Sequence, residues 1–174
     1  MKTYLITDSH FGHSNIKKYC DRPESFEELI FEDLSDLSAA WKRIDDDVQL
    51  VHLGDVAMGK EPETWLQRYR DATKRFRTVL IIGNHDKKTK TYYKKYFDEV
   101  LDNMIVQDVY LSHYGVDVIP EPARMQVYGH HHNSPLPERE KAWKNSFQLS
   151  LEREYYKTVE LDEVRWRILA GIKY

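Results

Sequence analysis

Val79-Leu80-Ile81-Ile82-Gly83-Asn84-His85-Asp86 joins a short aliphatic run to a small residue and three metal-competent or proton-competent ones. Four large aliphatics closed by glycine read as a buried strand rather than a helix. The polar residues then stand at the strand's carboxyl end. Asn84 offers a neutral amide oxygen, a hard ligand. His85 is too close in sequence to share an ion with it comfortably and is better used as a proton donor. Asp86 is placed to hold that imidazole in one tautomer and raise its pKa. Taken alone, the segment also suits a tight turn or a helix start, which Asn and Asp both favour.

Four more apolar runs end in the same way. Residues 4–7 precede Asp8-Ser9-His10, residues 48–53 precede Gly54-Asp55, residues 109–111 precede Ser112-His113, and residues 125–128 precede Gly129-His130-His131-His132. Helical patterns separate the early runs. Ser25 and Glu28 form a capping-box signature, after which Phe26, Ile30, Leu34, Leu37, Trp41 and Ile44 recur on one face. Pro62 suits a first helical turn, continued by Trp65, Tyr69, Ala72 and Phe76. Residues 89–97 suit a third helix, and Leu161, Val164, Ile168 and Leu169 a closing one. Past Asn103 the pattern turns strand-rich, with residues 147–151 and 155–159 as further strands. Strands alternating with helices predict an α/β sheet that is at least partly parallel, with ligands beyond the carboxyl ends of its strands.

Each strand end has its own bland alternative. Asp8 and His10, two apart on an extended chain, point the same way and can meet one ion, although a turn-forming Asp with an incidental His would look alike. Asp55 brings two oxygens that can bridge two cations, or makes a simple turn. A lone His113 is most often a packed residue. In an extended His130-His131-His132, the outer pair face one way and His131 the other. Clustered histidine more often signals metal than a polar loop. Together the set supplies seven ligands of mixed nitrogen and oxygen type, better suited to Mn²⁺, Zn²⁺ or iron than to calcium.

The 174 residues suit one domain, residues 1–174, and a net charge of −3 gives no overall bias toward nucleic acid or anionic membrane. Cys20 is the single cysteine, no apolar stretch is long enough to span a bilayer, and no export signal opens the chain. The expectation is a soluble, cytoplasmic protein that does not engage a membrane. There is no Walker-A or nucleophile-elbow signature.

The five ordered motifs Asp8-Ser9-His10, Gly54-Asp55, Gly83-Asn84-His85-Asp86, His113 and Gly129-His130-His131-His132 resemble those of the calcineurin-like metallophosphoesterases. The opening residues 6–16 are similar to a compact bacterial and phage branch, with a weaker echo in Ser150-Leu151-Glu152. The resemblance implies a four-layer α-β-β-α sandwich of two packed mixed sheets flanked by helices. It implies two divalent transition-metal ions, manganese first, with iron, zinc or nickel as alternatives. Asp8, His10, Asp55 and His132 would hold one ion; Asp55, Asn84, His113 and His130 would hold the other, with Asp55 bridging. His85 would be the acid at the leaving group, oriented by Asp86. His131 receives no role, and Gly115 stands where the compact branch usually has proline.

The expected reaction is hydrolysis of a phosphoester, since two ions can clamp the attacking and leaving oxygens of phosphoryl transfer. The substrate class expected first is a small nucleotide-like ester. A nuclease acting on DNA or RNA ends is the alternative, and a non-catalytic scaffold the third reading. Lys87 and Lys88 open a segment of lysines and tyrosines that either contacts substrate or is a solvated helix face; Arg22 is a further candidate for phosphate contact. Oligomeric state is left open.

Overall fold

The computed structural model describes residues 1–41 and 47–172; the Ile44 position of the first helical pattern lies outside them. Two mixed sheets form the centre. In the first, β1 (Lys2–Ile6), β2 (Val48–His52), β3 (Arg77–Ile81) and β4 (Glu99–Leu101) run parallel in the order β4-β3-β2-β1. The short β9 (Val159–Glu160) pairs antiparallel on the free side of β1. In the second, β6 (Val109–Ser112), β7 (Met125–Tyr128) and β8 (Ser146–Gln148) run parallel, and β5 (Asn103–Val106) joins β6 antiparallel.

The alternation of side chains sorts two cores. Leu5, Val51, Val79 and Ile81 meet Leu111, Val127 and Phe147 between the sheets. Ile6, Leu50, Leu80 and Val100 face outward, under α2 (Phe26–Trp41), α3 (Pro62–Thr73) and α4 (Lys90–Tyr93). The closing helix α6 (Leu161–Leu169) turns Leu161, Val164 and Ile168 into the core between the sheets. The remaining helices are short: α1 (Ile16–Tyr19) and α5 (Glu138–Lys141). No helix among the described residues is long and apolar enough to cross a membrane.

Local chemistry moved several expected boundaries. Glu28 does not reach back to cap α2; both its oxygens accept from the guanidinium of Arg68 on α3, at 2.9 and 2.6 Å. The helix expected over residues 89–97 is limited to α4, capped by the Thr89 hydroxyl. Past its end, Asp98 donates its N–H to the Thr78 carbonyl and turns the chain into β4. Residues 155–159 do not form a strand, because Tyr155 and Tyr156 both hold left-handed backbone (φ 54° and 63°), and only Val159 belongs to β9.

Candidate metal centre

Because β1, β2 and β3 are parallel, as are β6, β7 and β8, the carboxyl ends within each set open on one edge. The first sheet delivers Asp8 and His10 after β1, Asp55 after β2 and Asn84 after β3. The second delivers His113 after β6 and His130 and His132 after β7. The seven sequence-predicted ligands therefore meet where the two sheets abut. Backbone bonds lock the first two loops together past the ends of their strands: Asp8 donates to the Gly54 carbonyl and His10 to the Asp55 carbonyl, each at 3.0 Å.

The donor atoms converge with too few hydrogens to reconcile them all. Asp55 spends Oδ1 on the backbone N–H of His85 at 2.7 Å, leaving Oδ2 3.6 Å from His10 Nε2 and 3.5 Å from His113 Nε2. Asp8 spends Oδ2 on the Thr7 hydroxyl and the His130 N–H. Its Oδ1 lies 4.0 Å from His10 Nε2 and 3.9 Å from His132 Nε2, with no hydrogen-bond partner. Both ring nitrogens of buried His10 are also unpartnered. His113 Nδ1 must donate to the Leu53 carbonyl at 2.8 Å, so in a neutral ring Nε2 is bare, facing Asp55 Oδ2 and, at 2.9 Å, Asn84 Oδ1. His130 Nδ1 is 3.1 Å from that same Asn84 oxygen. Buried acceptors pointed at one another are costly unless a cation sits among them, so this donor set fits divalent metals.

Electrostatics divide the set. Burial holds the His10 ring down to about 3 and His130 to about 4, leaving both neutral and able to ligate. Burial also pushes Asp55 up to about 7, with the neighbouring Asp8 charge adding to it. For His132, burial is outweighed by hydrogen bonds to Cys20 and Glu152 and by the charges of Asp8 and Glu152, raising it to about 10, so this ring must release a proton before it can ligate.

Backbone conformation is unusual in the same place. Asp8, His10, Asp55, His130 and His132 all have positive φ, between 46° and 73°. His130-His131-His132 is accordingly a bend rather than an extended segment. What separates His131 from its neighbours is an anchor instead: its Nε2 lies 2.8 Å from Glu140 on α5. Close approach is bought with missing side chains: a Cβ on Gly129 would lie 2.1 Å from the Thr7 hydroxyl and 2.4 Å from Asp8 Oδ2. The same holds at Gly115, where a Cβ would meet the Trp143 ring at 2.3 Å, so the residue that replaces the branch's proline makes room for an indole.

Two predicted roles are corrected. Asp86 does not orient His85. Its oxygens accept the backbone N–H groups of Asp55 and Gly83, each at 2.8 Å, and of Val56 at 3.1 Å, so it fixes the Asp55 loop. His85 is exposed, its ring makes no hydrogen bond among the described residues, and its pKa is lowered, first by burial and then by Lys87. Arg22 does not face a substrate. It is buried, with its guanidinium donating to the Ser9 carbonyl at 2.8 Å, the Asp8 carbonyl at 2.7 Å and Glu152 at 2.8 Å. Lys87 and Lys88 are exposed beside His85.

Sequence reasoning missed Glu152 as a site residue. Its Oε1 lies 3.1 Å from His132 Nδ1, and the Arg22 guanidinium and the Ser150 hydroxyl hold it there; burial opposes its charge, but these partners bring it down to about 2. A carboxylate behind a ligating imidazole is the usual outer support of a metal site. The echo at Ser150-Leu151-Glu152 was the available signal. His52 is also buried here, but it braces the loops: its Nδ1 accepts the Gly54 N–H and its Nε2 donates to the Ser9 hydroxyl.

Residues 1–171 match the family model described as calcineurin-like phosphoesterase. The chain belongs to the calcineurin-like phosphoesterases. An uncharacterized protein of Methanocaldococcus jannaschii is 31% identical over 168 residues, 92% of this chain and 88% of that one. The crystal structure of a protein of unknown function from Aquifex aeolicus superposes with a TM-score of 0.75 at 26% identity, covering 96% of this phosphoesterase and 99% of its counterpart. Shared fold thus extends over nearly the full length of both.

Proposed function

We propose that this chain hydrolyses a small, nucleotide-like phosphate ester with two divalent transition-metal ions, manganese first, with iron, zinc or nickel as alternatives. Asp8, His10, Asp55 and His132 hold one ion; Asp55, Asn84, His113 and His130 hold the other. The observation that carries this is Asp55 Oδ2, which lies 3.6 Å from His10 Nε2 and 3.5 Å from His113 Nε2, so that one carboxylate oxygen faces both candidate sites. When bound, the ions supply Lewis acidity to the phosphoryl oxygens. The rest falls to the chain. Asp8 and Asp55 bring negative charge, and imidazoles complete each site, His132 once it has given up its proton. His85 stands exposed at the edge, its ring centroid 5.3 Å from that of His10, and passes a proton to the leaving oxygen. Asp55, through the His85 backbone N–H, fixes where that donor begins.

The surroundings favour a small ester over a polymer. Arg68 and Lys90 are paired with Glu28 and Asp102, and a net charge of −3 offers no broad basic surface beyond the lysines near His85. The test is hydrolysis of bis(p-nitrophenyl) phosphate and of p-nitrophenyl phosphate, each with manganese, iron, zinc or nickel added after chelation. Turnover restored by metal is expected. Full activity after exhaustive chelation, or no turnover of either ester with any of the metals, overturns the proposal.

A further inference from the structure

Beside His85, on the side away from the second sheet, lies a half-open cavity of about 160 Å³ that the metal chemistry does not use. Its inner wall is apolar: Met58, Pro62 and Leu66. Tyr92 and Tyr93 close another side, their rings set edge to face with centroids 5.2 Å apart. Lys87 and Lys88 stand at its rim, Lys88 Nζ 5.8 Å from the Tyr92 centroid, and the Tyr92 hydroxyl donates to Glu63 at 2.8 Å. His85 lines both this cavity and the approach to His10, which makes it the shared wall between the cavity and the cluster.

The walls are tied into the fold. Met58 donates its N–H to the Phe11 carbonyl at 2.9 Å, and Phe11 packs in a three-ring cluster with Phe31 and Trp65, whose own centroids are 6.3 Å apart. A preformed apolar slot with a few charged groups at its mouth is built for a ligand that is partly aromatic and partly anionic. The volume admits one ring system and not a stack of bases. From this geometry we infer that the cavity holds the planar ring of the ester's leaving group, a nucleobase or a ring of that kind, while Lys87 and Lys88 face the anion beside it. The inference rests on the proposed hydrolase reading for its orientation, since His85 is the donor to the leaving oxygen. It deepens that reading by assigning the side on which the nucleoside sits.

The test is a titration of the full-length protein with adenosine, and with ribose as the ring-free control, followed by backbone amide chemical shifts. Adenosine is a leaving group that no longer carries an ester, so the result does not depend on turnover. Saturable shifts at residues 57–59, 87, 88, 92 and 93 are expected with adenosine, and none with ribose at tenfold higher concentration. Filling the slot with Met58→Trp should remove the response. Tyr92→Ala should weaken it about tenfold while Tyr92→Phe, which keeps the ring, retains it. Adenosine shifts that map elsewhere, no adenosine shifts at all, or equal shifts with ribose overturn the inference, and the wild-type map decides this even where a variant fails to fold. Failure of ester hydrolysis with adenosine shifts intact would sink the proposed function and leave the ring site standing.

Discussion

The backbone N–H of His85 is held by Oδ1 of Asp55 at 2.7 Å. The same carboxylate turns its other oxygen to His10 and His113. One side chain thus ties the proposed proton donor to the proposed junction of the ions. Asp55→Asn can keep the bond to His85 through its amide oxygen but turns an NH₂ toward the imidazoles. Metal content should fall at both sites, with little change in melting of the metal-free protein. His131→Ala, which removes an anchor to Glu140 and ring contacts with Tyr128 and His130 but none of the proposed ligand atoms, should keep its metal. Elemental analysis of the two proteins side by side checks this, and equal losses would defeat a shared-carboxylate centre.

His85→Asn should retain metal and lose about 10²–10⁴-fold in rate on esters with poor leaving groups. The loss should shrink for p-nitrophenyl esters, whose leaving oxygen needs no proton. Metal loss in this variant would make His85 a ligand instead.

Glu152→Gln keeps the size of the group behind His132 but not its charge. Affinity for the ion assigned to Asp8, His10, Asp55 and His132 should drop about 10–100-fold, as is usual when the partner of a ligating imidazole is removed. The ion assigned to Asn84, His113 and His130 should stay, so manganese titration should resolve one tight and one weakened site.

Arg22→Met strips a buried guanidinium from Glu152 and from two backbone carbonyls, leaving that carboxylate only His132 and the Ser150 hydroxyl. The expected cost is about 3–5 kcal/mol, roughly 6–20 °C in melting temperature. Arg22→Lys should rescue little, because one ammonium cannot reach the two carbonyls and the carboxylate together. Thermal unfolding of both variants measures this; a wild-type melt for Arg22→Met would contradict the brace.

Burial places Asp55 at about 7 in the metal-free chain, above its usual 3.8. Between those values the folded chain keeps a proton that the unfolded chain has released. This group's stabilising contribution is therefore full below about 4 and lost as pH rises through 7. A cation needs the same proton gone. Affinity for the ion assigned to Asn84, His113 and His130 should then rise about tenfold per unit up to pH 7 and flatten above it, while the ion assigned to His132 should keep gaining above pH 7, because that imidazole is held up to about 10. Calorimetric manganese titrations at pH 6, 7 and 8 test both slopes.

Much of the candidate site's placement was legible because the chain writes its candidate ligands at the ends of short aliphatic runs. Parallel pairing turns that linear pattern into one edge. Asp8, Asp55, Asn84 and His113 needed no more than this. The bend through residues 130–132 was hidden, since alternation assumes an extended chain, whereas His130 and His132 are left-handed and Gly129 lies tight against Thr7 and Asp8. The roles of Asp86 and Arg22 were equally hidden. Both are charged residues near a motif, and only folding reveals that backbone amides and carbonyls use up their hydrogen bonds. Glu152 lies 20 residues from His132, and no local spacing connects the two.

The left-handed backbone at Asp8, His10, Asp55, His130 and His132 sets stability against activity. Glycine would relax every one of these positions, and replacing the buried Asp8 or Asp55 would also relieve crowded negative charge. A population selected only for heat resistance should therefore drift toward glycine at the centre, gaining melting temperature as it sheds its ions. Retention of these five side chains under such selection would mean that metal uptake repays the strain within the folded state.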